Sequence, residues 1–239
     1  MTASTPPGRL IGSGRAADVY ELGANRVLRR YRVSAEVSTQ LRQQAGLVHA
    51  EARLMRHLHS LGFPVPAVYD ADGTDMVMDR VTGVDMLTDL GKRPWRAWHH
   101  ANLLAQMHDR LHAIEAPEWL PRPFGEGDQI MHLDLHPGNV MLTADGPVVI
   151  DWSNGAAGPP GADVAMASLI MRTSEVNDLP TGVRLVAGFV RDSVVRRFER
   201  SVSADPGPYL VKVARHRLTD RNTRPAEAVL LQRIVDGGS

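Results

Sequence analysis

The segment His132-Leu133-Asp134-Leu135-His136-Pro137-Gly138-Asn139 sets an Asp and, five positions on, an Asn into one short stretch. Asp151 follows twelve positions later, at the end of the apolar run Val148-Val149-Ile150. These residue types suit phosphoryl transfer. One carboxylate can orient and deprotonate an acceptor hydroxyl, while an amide oxygen and a second carboxylate can hold Mg²⁺ against nucleotide phosphates. Pro137-Gly138 keeps Asp134 and Asn139 in a loop, because neither a strand nor a helix continues easily through that pair. Asp151 leaves a buried strand for a loop, a common place for chemistry.

The same stretch allows a rival reading. If it were a strand, His132, Asp134 and His136 would project from one face and could bind a divalent metal. His108 and His112 add a zinc-like i, i+4 pair on a helix. That set describes a metal hydrolase, and it gives Asn139 and Asp151 no role.

Positioning these residues takes two kinds of texture. Residues up to about 80 read as strands around one helix. Arg9-Leu10-Ile11 ends at Gly12-Ser13-Gly14, Asp18–Leu22 alternates, Gly23-Ala24-Asn25 is turn chemistry, and Arg26–Tyr31 resumes as a strand. A helix is expected from about Ser34 to Leu61, with Leu47, Glu51, Leu54, Leu58 and Leu61 on one face. Glu51 then sits on an apolar face, where a carboxylate needs a partner. Short strands are expected around Val68-Tyr69 and Met76–Met78. Beyond Thr82-Gly83 the pattern is mainly helical: Pro94 to Ile114 with Trp98, Ala101, Ala105 and His108 on one side, then 162–171, 182–202, 209–219 and 225–235. The expected domains are therefore residues 1–81 and 82–239.

Bulk properties exclude several classes. The 239 residues carry no net charge, which gives no footing for non-specific nucleic-acid or anionic-membrane binding. There is no cysteine, so disulfides, thiolate metal sites and Cys nucleophiles are excluded. No apolar run approaches a membrane span, and Met1 to Gly8 has no signal-peptide core, so a cytoplasmic location is expected. Of 27 basic residues only Lys92 and Lys212 are lysines.

Together the motifs resemble the aminoglycoside phosphotransferase and choline kinase-like family of the protein-kinase-like superfamily, over most of residues 9–170. The resemblance rests on 132–139, on Val149-Ile150-Asp151-Trp152, on Phe63-Pro64-Val65-Pro66 and on Gly158–Ala165. It implies an α+β, two-lobed protein-kinase-like fold: a small N-terminal antiparallel sheet with a helix, which binds nucleotide, and a larger, mainly helical C-terminal lobe. It implies Asp134 as catalytic base, with Mg²⁺ on Asn139 and Asp151 and ATP (or GTP) as donor. Gly12, Ser13 and Gly14, with Arg15 beyond them, would cover the phosphates. Arg29 would pair with Glu51, or Arg30 would if the strand faced the other way. Met78, Asp79 and Val81 would meet the base, and His132, His136 and Asp163 would support the catalytic loop.

Two departures stand out. The strand residue is Arg where the family has Lys, and no Lys precedes Lys92. Trp152-Ser153 replaces the Phe-Gly of protein kinases. Only about ten residues, Trp152 to Gly161, separate Asp151 from the next helix, which leaves little to dock a peptide. The acceptor is therefore expected to be a small alcohol. A catalytically silent nucleotide-binding module is the alternative that Arg29 favours.

Overall fold

The computed structural model describes residues 8–14, 17–32, 38–173, 181–220, 223 and 225–237. In chain order they form β1 (Leu10–Ser13), β2 (Ala17–Leu22), β3 (Arg26–Tyr31), α1 (Ser38–Ser60), β4 (Val68–Asp72) and β5 (Asp75–Asp79). Then come β6 (Val84–Asp85), α2 (Met86–Lys92), α3 (Ala97–His112), β7 (Gln129–Met131), β8 (Val140–Thr143), β9 (Gly146–Val149) and β10 (Ala156–Gly158). The helices α4 (Pro160–Thr173), α5 (Thr181–Ser201), α6 (Leu210–Leu218) and α7 (Pro225–Gly237) complete the chain. This is the expected α+β class, an antiparallel sheet early in the chain and helices after it. The helix start expected near Ser34 and the loop residue Arg15 lie outside the described residues.

Two compact units result, Met1–Gly83 with Thr143–Ser153, and Val84–Leu142 with Asn154–Ser239. In the first, one antiparallel sheet runs in the order β1-β2-β3-β5-β4. Gly23, at φ 71°, closes the β2–β3 turn in a conformation that costs glycine nothing. The register places Arg29 opposite Val19 on one side and Met76 on the other. Helix α1 packs on β4 and β5. It buries Val48, Glu51, Ala52, Leu54, Met55 and Leu58. Leu47 and Leu61, expected on that face, are exposed. Glu51, Leu54 and Leu58 are buried as expected, and the face extends from them towards Val48, Ala52 and Met55 instead of Leu47 and Leu61. Phe63 and Trp152 pack edge to face with ring centroids 5.6 Å apart. Backbone Val149 N–H donates to the Pro64 carbonyl at 2.8 Å, which ties the 143–153 segment to the Pro-rich turn after α1.

In the second unit α3 packs on α5, α4 on both α5 and α6, and α6 on α7. Phe124, Met131, Leu133, Met166, Leu169, Val213 and Leu231 are among the core residues there. Asp85 caps α2, its carboxylate accepting from Thr88 N at 2.8 Å. This short helix carries no periodicity in the sequence that announces it. On α3 the buried face includes Ala101, Ala105 and His108, as expected, together with Leu111, but Trp98 is exposed, as is Trp95 before the helix. No helix among the described residues is long and apolar enough to cross a membrane.

Helix α4 begins hard against backbone. A Cβ on Gly161 would lie 2.4 Å from the Asp205 carbonyl oxygen and 2.7 Å from the Tyr209 ring. Gly161→Ala is expected to destabilise the protein by about 1–3 kcal/mol through overpacking. Gly188→Ala, mid-helix on α5 with open space around it, should instead stabilise by about 0.5–1 kcal/mol. Paired thermal melts check both signs.

Candidate active site

In the first unit, β3 delivers Arg29 to two carboxylates at once. Its Nη1 donates to Glu51 Oε1 at 2.9 Å, and its Nη2 donates to Asp151 Oδ1 at 2.7 Å. A planar fork can serve both, which a single ammonium does less well. Arg30 faces the other way and pairs with Asp75, so Arg29 is the strand partner of the helix Glu. Tyr31, two residues along the same strand, donates its hydroxyl to Glu51 Oε2. The Trp152 backbone also hydrogen-bonds Glu51. Burial pushes the Glu51 carboxyl above its usual range, against the pull of Arg29 and Tyr31. Asp151 is held at φ 64°, a left-handed conformation unusual for a side chain larger than glycine.

Elsewhere in this unit, Ser13 donates to Asp18 at 2.7 Å and Gly14 N–H to the Ala17 carbonyl at 2.9 Å. Met78 lies on β5, paired with Val27 of β3 and Val68 of β4. Asp79 accepts from Ala67 N at 3.0 Å and from the Tyr69 hydroxyl at 2.7 Å, so its carboxylate braces the end of the sheet. Val81 is partly buried just beyond β5.

The second unit holds the loop between β7 and β8. Asn139 Nδ2 donates to Asp134 Oδ2 at 3.0 Å and to the Asp134 carbonyl at 2.8 Å, so the two polar residues of the motif are joined directly. Asp134 N–H donates to His132 Nδ1 at 3.2 Å, and Gly138 N–H to His136 Nδ1 at 3.0 Å. Leu133 takes φ 59°. Asp163 of α4, fully buried, secures this turn: Leu133 N donates to its Oδ1 at 2.7 Å and His132 N to its Oδ2 at 3.2 Å.

Burial alone would raise the Asp163 pKa. The hydrogen bond from His112 and the adjacent His108 ring outweigh it and hold the carboxyl well below its ordinary value of 3.8. A depressed carboxylate stabilises the fold above its unfolded pKa, and that stability is lost as pH falls through the folded value. Asp163 should therefore contribute fully above about pH 4 and lose its contribution only in more acid solution. Acid-unfolding curves of wild type and Asp163→Asn should differ most above pH 4 and converge below it.

The rival metal arrangement fails at its premise. β7 ends at Met131, so His132, Asp134 and His136 lie in a loop with a left-handed residue inside it and cannot share a strand face. Among the described residues, the histidines and carboxylate that gather within 4.8 Å are His108, His112 and Asp163.

The phosphotransferase enzyme family model matches residues 7–128 and 86–198. The chain belongs to this family. Solved structures agree on the fold. The ADP-bound aminoglycoside phosphotransferase APH(2'')-Ib aligns with a TM-score of 0.59 and 13% identity, over 95% of this chain and 93% of that one. The streptomycin–ATP complex of APH(2'')-IIa aligns equally well at 13% identity, over 95% and 92%. Aminoglycoside-3'-phosphotransferase of type VIII gives 0.55 and 14% identity, over 97% and 94%. No curated protein sequence matches the chain significantly. This family member thus has the two-lobed protein-kinase-like fold expected from its motifs. Tyr31, His108 and His112 complete its polar networks. Sequence reasoning left Tyr31 aside, although its alternation with Arg29 along β3 was a usable signal. It leaves the two histidines as metal ligands or as packed or hydrogen-bonded side chains beside the core, and hydrogen-bonded is how they are found.

Proposed function

We propose that this chain is a small-molecule kinase, transferring the γ-phosphoryl group of ATP (or GTP) to a hydroxyl. The observation that carries this reading is the Asp134–Asn139 pair, held in a loop whose backbone is fixed by a buried anion. Asp134 accepts the proton of the acceptor hydroxyl as its oxygen attacks phosphorus in line. Asn139 engages its amide nitrogen with Asp134, which leaves its amide oxygen as a hard donor. Asn139 and Asp151 are the residues that would hold Mg²⁺, since an amide oxygen and a carboxylate are the hard oxygen donors this ion takes. When bound, that ion would neutralise charge on the phosphates. Gly12, Ser13 and Gly14 cover the phosphates with backbone, Arg29 supplies positive charge near them, and Met78, Asp79 and Val81 border the base. His132, His136 and Asp163 shape the loop. The relatives of known structure carry ADP, ATP, streptomycin or gentamicin, which supports a nucleotide donor and a small hydroxylated acceptor.

A second reading, a silent nucleotide-binding module, draws on Arg29 standing in the lysine position and bonded to Asp151. A Mg·ATP phosphorylation screen over hydroxylated small molecules, with Asp134→Ala and Asp151→Ala as controls, separates the two. Transfer that both variants abolish supports the kinase. Nucleotide binding with no acceptor ever phosphorylated sinks it in favour of the silent module.

A further inference from the structure

We infer that His108 and His112 are positioning residues for Asp134, acting through both sides of its loop. The inference rests on the phosphotransferase reading for its catalytic meaning. The two histidines sit one turn apart on α3 and converge on Asp163. His112 Nε2 lies 2.9 Å from Asp163 Oδ2, so it donates to an atom that can only accept. His108 Nε2 lies 3.1 Å from the Leu135 carbonyl, which again makes the ring nitrogen the donor. The other nitrogen of His108 lies 3.5 Å from Asp163 Oδ2. His108 therefore spans the loop: its Nε2 donates to the carbonyl just after Asp134, and its other nitrogen faces, without a hydrogen bond, the carboxylate that accepts from the two amides before it.

The burial makes these contacts matter. His108 and Asp163 are both 0% exposed, so neither can trade a lost partner for bulk water. Asp163 holds Leu133 at φ 59°, a conformation leucine resists by about 1–2 kcal/mol. Without the His112 donor the buried anion is poorly compensated, and without the His108 donor the buried Leu135 carbonyl loses its partner; either loss lets the turn relax towards ordinary backbone. Asp134 is the next residue, so the relaxation reaches the proposed base first.

The test uses the full chain and reads the loop directly. Amide hydrogen exchange is followed in wild type, His108→Phe, His112→Phe, His108→Gln and His112→Gln. A glutamine amide nitrogen can stand where Nε2 stands, whereas phenylalanine fills the space without a donor. Exchange at Leu133 and Asp134 should rise at least about tenfold in the Phe variants, stay near wild type in the Gln variants and leave α6 unchanged. His112→Asn, whose amide is too short to reach Asp163, serves if a Phe variant does not fold, and should show the same selective rise. Mg·ATP turnover should fall about 10–100-fold in the same variants with nucleotide affinity unchanged.

Equal exchange in Phe and wild-type protein would overturn the inference, as would a uniform rise across all helices. A tetrahedral Co²⁺ absorption spectrum requiring His108, His112 and Asp163 would overturn it too, by making the three residues metal ligands. Loop-selective exchange in a protein that never binds Mg·ATP would uphold the positioning and sink the kinase reading alone.

Discussion

Arg29→Met is expected to destabilise the protein by about 3–5 kcal/mol, because it strands a buried carboxylate. The Glu51 side chain is 2% exposed and that of Arg29 12%, so water replaces little of what is lost. Tyr31 and the Trp152 backbone still reach Glu51, but neither carries the opposing charge. Asp151, more exposed at 39%, loses one of its partners at smaller cost, since Ser153 still donates to it. The double variant Arg29→Met/Glu51→Leu should recover most of the loss, since a buried ion pair exchanged for apolar groups is often neutral. Urea melts of the two single variants and the double decide it. A loss under 1 kcal/mol in Arg29→Met would show that Glu51 is already protonated there. Arg29→Lys should fall between, because one ammonium cannot reach Glu51 and Asp151 with the same two-pronged geometry.

Asp134→Asn is expected to lower kcat for phosphoryl transfer by about 10²–10⁴-fold while nucleotide affinity changes less than about twofold. The substitution is nearly isosteric, and its amide oxygen can still accept from Asn139 Nδ2. What disappears is the ability to take a proton. Asp151→Asn should behave differently on the proposed reading, weakening Mg·nucleotide binding, because the loss would fall on a ligand charge and not on the acceptor hydroxyl. Steady-state kinetics beside calorimetric nucleotide titration separates the two. If Asp134→Asn retained more than a tenth of wild-type kcat, another group would have to serve as base.

The parts of the site that follow local rules were legible in the sequence. Pro137-Gly138 forces a loop, Val148–Ile150 announces a strand, and a Glu among leucines demands a partner; these follow from chain stereochemistry and desolvation. The alternation of β3 left Arg29 and Arg30 both possible, and only the register against Val19 and Met76 decides which faces α1. The leucine spacing of α1 misplaced its core face because Val48, Ala52 and Met55 fill the space that Leu47 and Leu61 were expected to fill. Trp98 was misplaced for a similar reason, since aromatic size argues for burial but the helix turns it outward. The histidines of α3 were hardest. Their i, i+4 spacing suits a metal ion and a shared carboxylate equally, and the residue that receives them lies 51 positions beyond His112.

Arg29 carries one further consequence, for chemical labelling. Reagents that acylate an amine beside bound nucleotide phosphates depend on a lysine at this strand position, and here they meet a guanidinium that does not give up its proton. The earliest lysine in the chain is Lys92. On the proposed reading, profiling of cell extracts with such reagents would pass over this protein even though it binds nucleotide.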